Sequence, residues 1–189
     1  MHVHCSLLDS DGNNAFDDGT GAGTPLLRKA VAGCLAGMAD CMLLFAPHLN
    51  SYRRFRTGAH APLTANWGYE NRTVALRIPA DKHAATRIEH RLAGADASPH
   101  LVYAAILAGI LHGLENDLEA PAPIEGNAYA QESERLPNSW PGALQTFRES
   151  GFVRTWFGEE FQRVYALIKE QEMQEFDGVI SPFEYASYL

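Results

Sequence analysis

The segment TRIEHRL constrains this chain more than any other stretch of similar length. Arg87, Glu89 and Arg91 alternate with Ile88, His90 and Leu92, a period of two that reads as a β-strand with one charged face and one apolar face. A carboxylate between two guanidiniums supports two readings. It is a structural ion-pair ladder, or it is a metal ligand flanked by arginines that match phosphate oxygens bidentately. His90 points to the opposite face and reads as packed or exposed rather than catalytic.

Two further segments carry the same kind of alternation. In MHVHCSL, His2, His4 and Ser6 share one face of an extended strand, with Val3, Cys5 and Leu7 on the other. The two imidazoles then lie about 6–7 Å apart at Cα, which suits one metal ligand beside a phosphate neighbour, or two ligands of one ion. NRTVALRIP reads as a strand stopped by Pro79. Arg72 and Arg77 fall on opposite faces under strict alternation, so Arg72 serves the same site only from before the regular strand or from a bulge. NSYRRFR adds Arg53, Arg54 and Arg56. Arginines gathered in three segments of a chain with formal net charge −8 suggest an anionic, phosphorylated substrate. There is no P-loop and no GxGxxG, so a nucleotide would be held by arginines and metal.

The remaining sequence supplies helices. Thr24-Pro25 is a cap followed by proline at the first helical position, opening a helix over 25–45 in which Leu27, Val31, Cys34, Leu35, Met38 and Met42 recur with helical spacing. Ser98-Pro99 opens a second, over 99–115, apolar nearly all round and therefore buried on most sides. Amphipathic helices follow over 141–149 and 159–176, and Ser181-Pro182 opens a last one. Residues 50–68 read as irregular. The chain of 189 residues, 46% apolar and 20% charged, is expected to form one α+β domain of antiparallel strands packed with long helices. Its acidity argues against nucleic acid or an anionic membrane as a partner. No apolar run is long enough to span a bilayer. Three cysteines without framework spacing, and no signal peptide, point to a reduced cytoplasmic setting.

Taken in order, MHVHCS, NSYRR followed by AP, NRTVALRIP, TRIEHRL and the ADASPHLVYAAILAGILHGL helix resemble the C-terminal catalytic half of the glutamine synthetase family. WGYENRTV and SPFEYASYL resemble its γ-glutamyl-polyamine branch more than the ammonia-using enzymes. The resemblance implies an ATP- and magnesium- (or manganese-) dependent ligase that joins the γ-carboxylate of glutamate to an amine, ammonia or a polyamine, through an acyl phosphate. By resemblance, His2 and Glu89 bind one metal ion, and His4 and Ser6 face the ATP phosphates and adenine. Arg54 holds the glutamate carboxylate. Arg72 stabilises the transferring phosphoryl group, Arg77 and Arg87 hold ATP phosphates, and Arg91 meets glutamate or the intermediate. The ring assembly of the family implies a homo-oligomer.

Two departures from the family pattern shape the expectation. His60 in RFRTGAHAP stands where ammonia-using relatives carry a glutamate that deprotonates ammonium; an imidazole there is a base or a loop residue without a role, and it favours a larger amine. The N-terminal β-grasp domain and the first catalytic strands are not among these residues. The chain is therefore expected to be a single truncated catalytic domain over 1–189, inactive as a ligase alone and prone to self-associate through an exposed sheet edge beside His2. The alternatives are a non-catalytic fragment that binds nucleotide or partner subunits, and a cupin-like metal enzyme, which the long helices oppose.

Overall fold

The computed structural model describes residues 1–59, 61–79, 85–131 and 135–188. Four three-residue strands, β1 (Val3–Cys5), β2 (Trp67–Tyr69), β3 (Leu76–Ile78) and β4 (Ile88–His90), form one sheet in the order β1-β4-β3-β2. β4 runs antiparallel to both β1 and β3, as expected, but β2 runs parallel to β3. Parallel neighbours ordinarily need a long crossover; here the chain turns back within six residues. Glu70 adopts φ +48° and donates its N–H to the Ile78 carbonyl, and the Asn71 side chain accepts from the Thr73 N–H and hydroxyl to close a turn.

The strand register sorts side chains into two rows. Val3, His90, Leu76 and Trp67 lie opposite one another and are all buried, forming the core face. His4, Glu89 and Arg77 lie opposite one another on the other face. A one-residue slip would exchange the rows. His90 is thus a core residue, its ring 4.7 Å from Phe45 and its Nδ1 without a partner.

The expected helix over 25–45 is broken. α1 (Pro25–Ala36) is capped by the Thr24 hydroxyl and stops before Gly37, and α2 (Met42–Phe45) follows after turns. Glycine is a poor helix former, and a side chain at Gly37 would collide with the Phe152 ring. α3 (Pro99–Glu115) crosses α1 at very close range. A Cβ on Gly109 would sit 2.8 Å from the Cys34 Cα, and Cβ atoms on Gly33 or Gly113 would enter the facing backbone. α3 is not buried on most sides as expected, because Tyr103, Leu107 and Leu111 form an exposed stripe. Residues 50–68 are more regular than expected, containing most of a 3-10 helix over Leu49–Arg54 and the start of β2.

α4 (Trp140–Glu149), α5 (Gly151–Phe157) and α6 (Glu159–Asp177) complete the domain, with α5 unforeseen from sequence. Ser139 and Ser150 cap α4 and α5, and Phe147, Phe161 and Tyr165 join α4 to α6. α7 (Pro182–Tyr188) has no buried residue. Among the described residues no helix is long and apolar enough to cross a membrane.

Two outcomes follow from this packing. Gly33→Ala or Gly113→Ala should cost about 3 kcal/mol or more of unfolding free energy, because backbone must move. Gly151→Ala, with open space around its Cβ, should be neutral or stabilising by up to about 1 kcal/mol; urea denaturation separates the two cases. Burial holds the His90 pKa down to about 3, from an ordinary 6.5. Between those values the unfolded chain takes up a proton that the folded chain refuses, so stability falls as pH falls, by about 1.4 kcal/mol per pH unit. Denaturation at pH 6 and pH 5 should show this slope, and His90→Gln should flatten it by about that amount.

Candidate functional site

Glu89, in the middle strand of the charged row, is 3% exposed. Its Oε2 accepts from Arg77 Nη1 at 2.7 Å, and its Oε1 from Arg91 Nη1 at 3.1 Å and His2 Nδ1 at 2.8 Å. Each partner follows from the strand pattern. Arg77 faces Glu89 across the β3–β4 pair, Arg91 lies two residues along, and His2 lies two before His4 on β1. Burial alone would push the Glu89 carboxyl up, but Arg91 and then Arg77 outweigh it, and the pKa is lowered.

His2 behaves differently from what its acidic partner suggests. Burial, and then the charge of Arg91, lower its pKa against the opposite pull of Glu89. At neutral pH the contact is therefore a hydrogen bond from a neutral ring, not an ion pair. Half-exposed His2 and buried Glu89 thus present two donor atoms close together on the charged face. An imidazole with a carboxylate suits manganese at least as well as magnesium. Among the described residues no group of three or more His, Cys, Asp or Glu side chains could hold a metal ion, so the pair fits as two donors of a coordination shell and not as a whole one.

His4 accepts at Nδ1 from Arg87 Nε at 3.0 Å. In the neutral ring this leaves Nε2 as a hydrogen-bond donor. Arg91 also donates through Nη2 to the Arg72 carbonyl at 2.9 Å, fastening the turn before β3 to the site. Arg72 itself is exposed in that turn, outside the regular strand as the alternation requires, and it lines a cleft of about 670 Å³ with Glu70, Asn71 and Glu125. Ser6 is exposed one residue beyond β1.

Arg54 ends the 3-10 helix and reaches the chain next to Arg91, donating to the Leu92 carbonyl and lying 4.4 Å over the Phe55 ring. Its Nε is buried without a partner, and burial lowers its pKa. It opens on a cleft of about 460 Å³ lined also by Arg53, Arg56 and Asp96. A half-desolvated guanidinium with a spare donor favours an anion.

Six of the residues singled out from sequence therefore sit together on one sheet face: His2, His4, Arg77, Arg87, Glu89 and Arg91. Arg72 joins through its backbone, Arg54 stands at the adjoining cleft, and His60 lies outside the described residues. Sequence reasoning missed Glu70, whose carboxylate accepts from Arg77 Nη2 at 3.1 Å. Nothing in the spacing announces it, because it reaches Arg77 through the turn and not through strand alternation.

Comparison with known proteins shows the family of the chain. The family described as glutamine synthetase, catalytic domain, matches residues 1–188. Gamma-glutamylputrescine synthetase PuuA of Escherichia coli (strain K12) is 45% identical over 97% of this chain, which spans 39% of that enzyme. Gamma-glutamylethanolamide synthetase GlnA4 of Streptomyces coelicolor is 38% identical, again with 97% of this chain and 39% of the relative covered. Ligand-free GmaS superposes with a TM-score of 0.87 at 26% identity, over 99% of this chain and 44% of GmaS. The chain thus spans about two-fifths of the length of these relatives. With residues 1–188 matched and the fold shared, the chain belongs to the glutamine synthetase family and lies within its catalytic domain.

Proposed function

We propose that this chain carries one side of a ligase site that joins the γ-carboxylate of glutamate to an amine at the expense of ATP. The observation that supports it most is the buried, ionised Glu89 held among His2, Arg77 and Arg91 on a face that also presents His4 and Arg87. A core carboxylate fixed by three partners gives preorganised charge, and phosphoryl transfer is driven by positioning and electrostatic stabilisation. The relatives named for putrescine and ethanolamide products favour an organic amine as acceptor over ammonia.

In this reading His2 and Glu89 would hold a magnesium or manganese ion, which would neutralise charge on the ATP phosphates. His4 donates from Nε2 to a phosphate oxygen, Arg77 and Arg87 bind phosphates, and Ser6 faces the adenine. Arg54 holds the glutamate carboxylate, and Arg91 steadies glutamate or the intermediate. A γ-carboxylate oxygen of glutamate attacks the terminal phosphorus and ADP leaves; Arg72 offsets the charge on the transferring group. The amine then attacks the acyl carbon, inorganic phosphate leaves, and the amine gives up a proton, for which His60 is the candidate base. Among the described residues His2 and Glu89 make up only part of a coordination shell, and the chain alone is expected to bind ATP weakly and to lack ligase turnover. A homo-oligomer fits β1 at the edge of the sheet and the exposed Tyr103, Leu107 and Leu111. The three free cysteines suit a reducing cytoplasm.

Calorimetry of ATP with manganese tests the reading. Arg87→Ala should weaken binding by about tenfold, the loss of one charge-assisted phosphate contact, and His2→Ala should weaken it only when manganese is present. Equal binding by all three proteins would contradict the assignment. Sedimentation velocity should show dimers or larger species; a monomer at all concentrations would contradict the homo-oligomer.

A further inference from the structure

We infer that Glu70 is a built-in competitor for the anion that Arg77 is set to bind, a counter-ion that must step aside when phosphate arrives. This rests on the reading of Arg77 as a phosphate contact. Arg77 is only 15% exposed and shares its guanidinium between two carboxylates. Nη1 belongs to Glu89 at 2.7 Å, Nη2 to Glu70 at 3.1 Å, and Nε is buried with no partner. A phosphate offers a guanidinium two oxygens at once. Glu89 is buried and also tied to Arg91 and His2, so it cannot leave; an anion that takes Nη2 together with Nε must displace Glu70.

The two carboxylates differ in the way this exchange needs. Glu89 is 4% exposed at its side chain and Glu70 is 49% exposed. Ion pairs open to water are weak and exchange readily, whereas a buried carboxylate cannot give up its partners cheaply. The backbone at Glu70 also carries a cost. It sits at φ +48°, where glycine is the ordinary choice, with its N–H fixed to the carbonyl of Ile78, the neighbour of Arg77. That bond pins the Glu70 backbone beside Arg77 while its side chain stays on the solvent side. Glu70 also borders the cleft that holds Arg72. Charges alternate along Glu70, Arg77, Glu89 and Arg91, so an anion that takes the place of the first keeps the alternation.

Calorimetry of the whole chain in EDTA, with inorganic tripolyphosphate and then ATP as probes, tests this without a metal. Glu70→Gln should bind tripolyphosphate about threefold to tenfold more tightly, and Glu70→Asp should match the parent within about twofold. In an Arg77→Lys background, which keeps the charge but loses the fork, Glu70→Gln should give no gain. Unchanged or weaker binding by Glu70→Gln overturns the competitor role, as does an equal gain in both backgrounds, which would mark a long-range charge effect. If Arg77→Lys leaves affinity unchanged, the reading of Arg77 as a phosphate contact fails. If it weakens binding while Glu70→Gln gives no gain, only the competitor role fails. Should Arg77→Lys not fold, the contrast between Gln and Asp at position 70 still decides. Absence of tripolyphosphate binding in the parent and Glu70→Gln alike overturns both.

Discussion

A buried carboxylate is the constraint around which this domain is arranged. Glu89 lies in the middle of a three-strand row, removed from water, and ionised only because Arg77, Arg91 and the His2 N–H surround it. An isolated buried charge costs far more than a small domain can absorb. The three partners therefore fix the register of β1 and β3 on β4 as firmly as the apolar row beneath them does. Shifting either neighbour by one residue would bury His4 or Arg77 against the core and leave Glu89 unpaired.

The same constraint explains why the charged face is tied together at its centre and open at its rim. Arg91 spans the Glu89 carboxylate and the Arg72 carbonyl, so the turn that carries Arg72 is held by the residue that holds the anion. Arg54 anchors on Leu92, directly after Arg91, and brings the second cleft to the same stretch of chain. The exposed groups (Arg72, Glu70 and His2) lie at the rim. Replacing a buried ion pair by apolar groups often stabilises a protein, so the four charges here are not what a stability argument alone would select.

Much of this was legible in the sequence because it obeys period two. TRIEHRL and MHVHCS place Glu89, Arg91, Arg87, His2 and His4 by alternation alone, and the cap at Thr24 marks a helix start through a local hydrogen bond. What escaped depends on contacts between distant segments. The break of the first helix follows from Phe152 lying over Gly37, and the close crossing of α1 and α3 from Gly33, Gly109 and Gly113 meeting backbone to backbone. The parallel pairing of β2 and the reach of Glu70 to Arg77 follow from a non-glycine residue in the left-handed region. None of these leaves a periodic trace.

The family of the chain and the geometry of its charged face point to one account, in which Glu89 organises the fold and the charged face together. The most direct measurement is the urea unfolding free energy of Glu89→Gln near neutral pH. The account predicts a loss of about 3 kcal/mol or more, because two partly buried arginines lose their shared anion. An unfolding midpoint unchanged from the parent would contradict it.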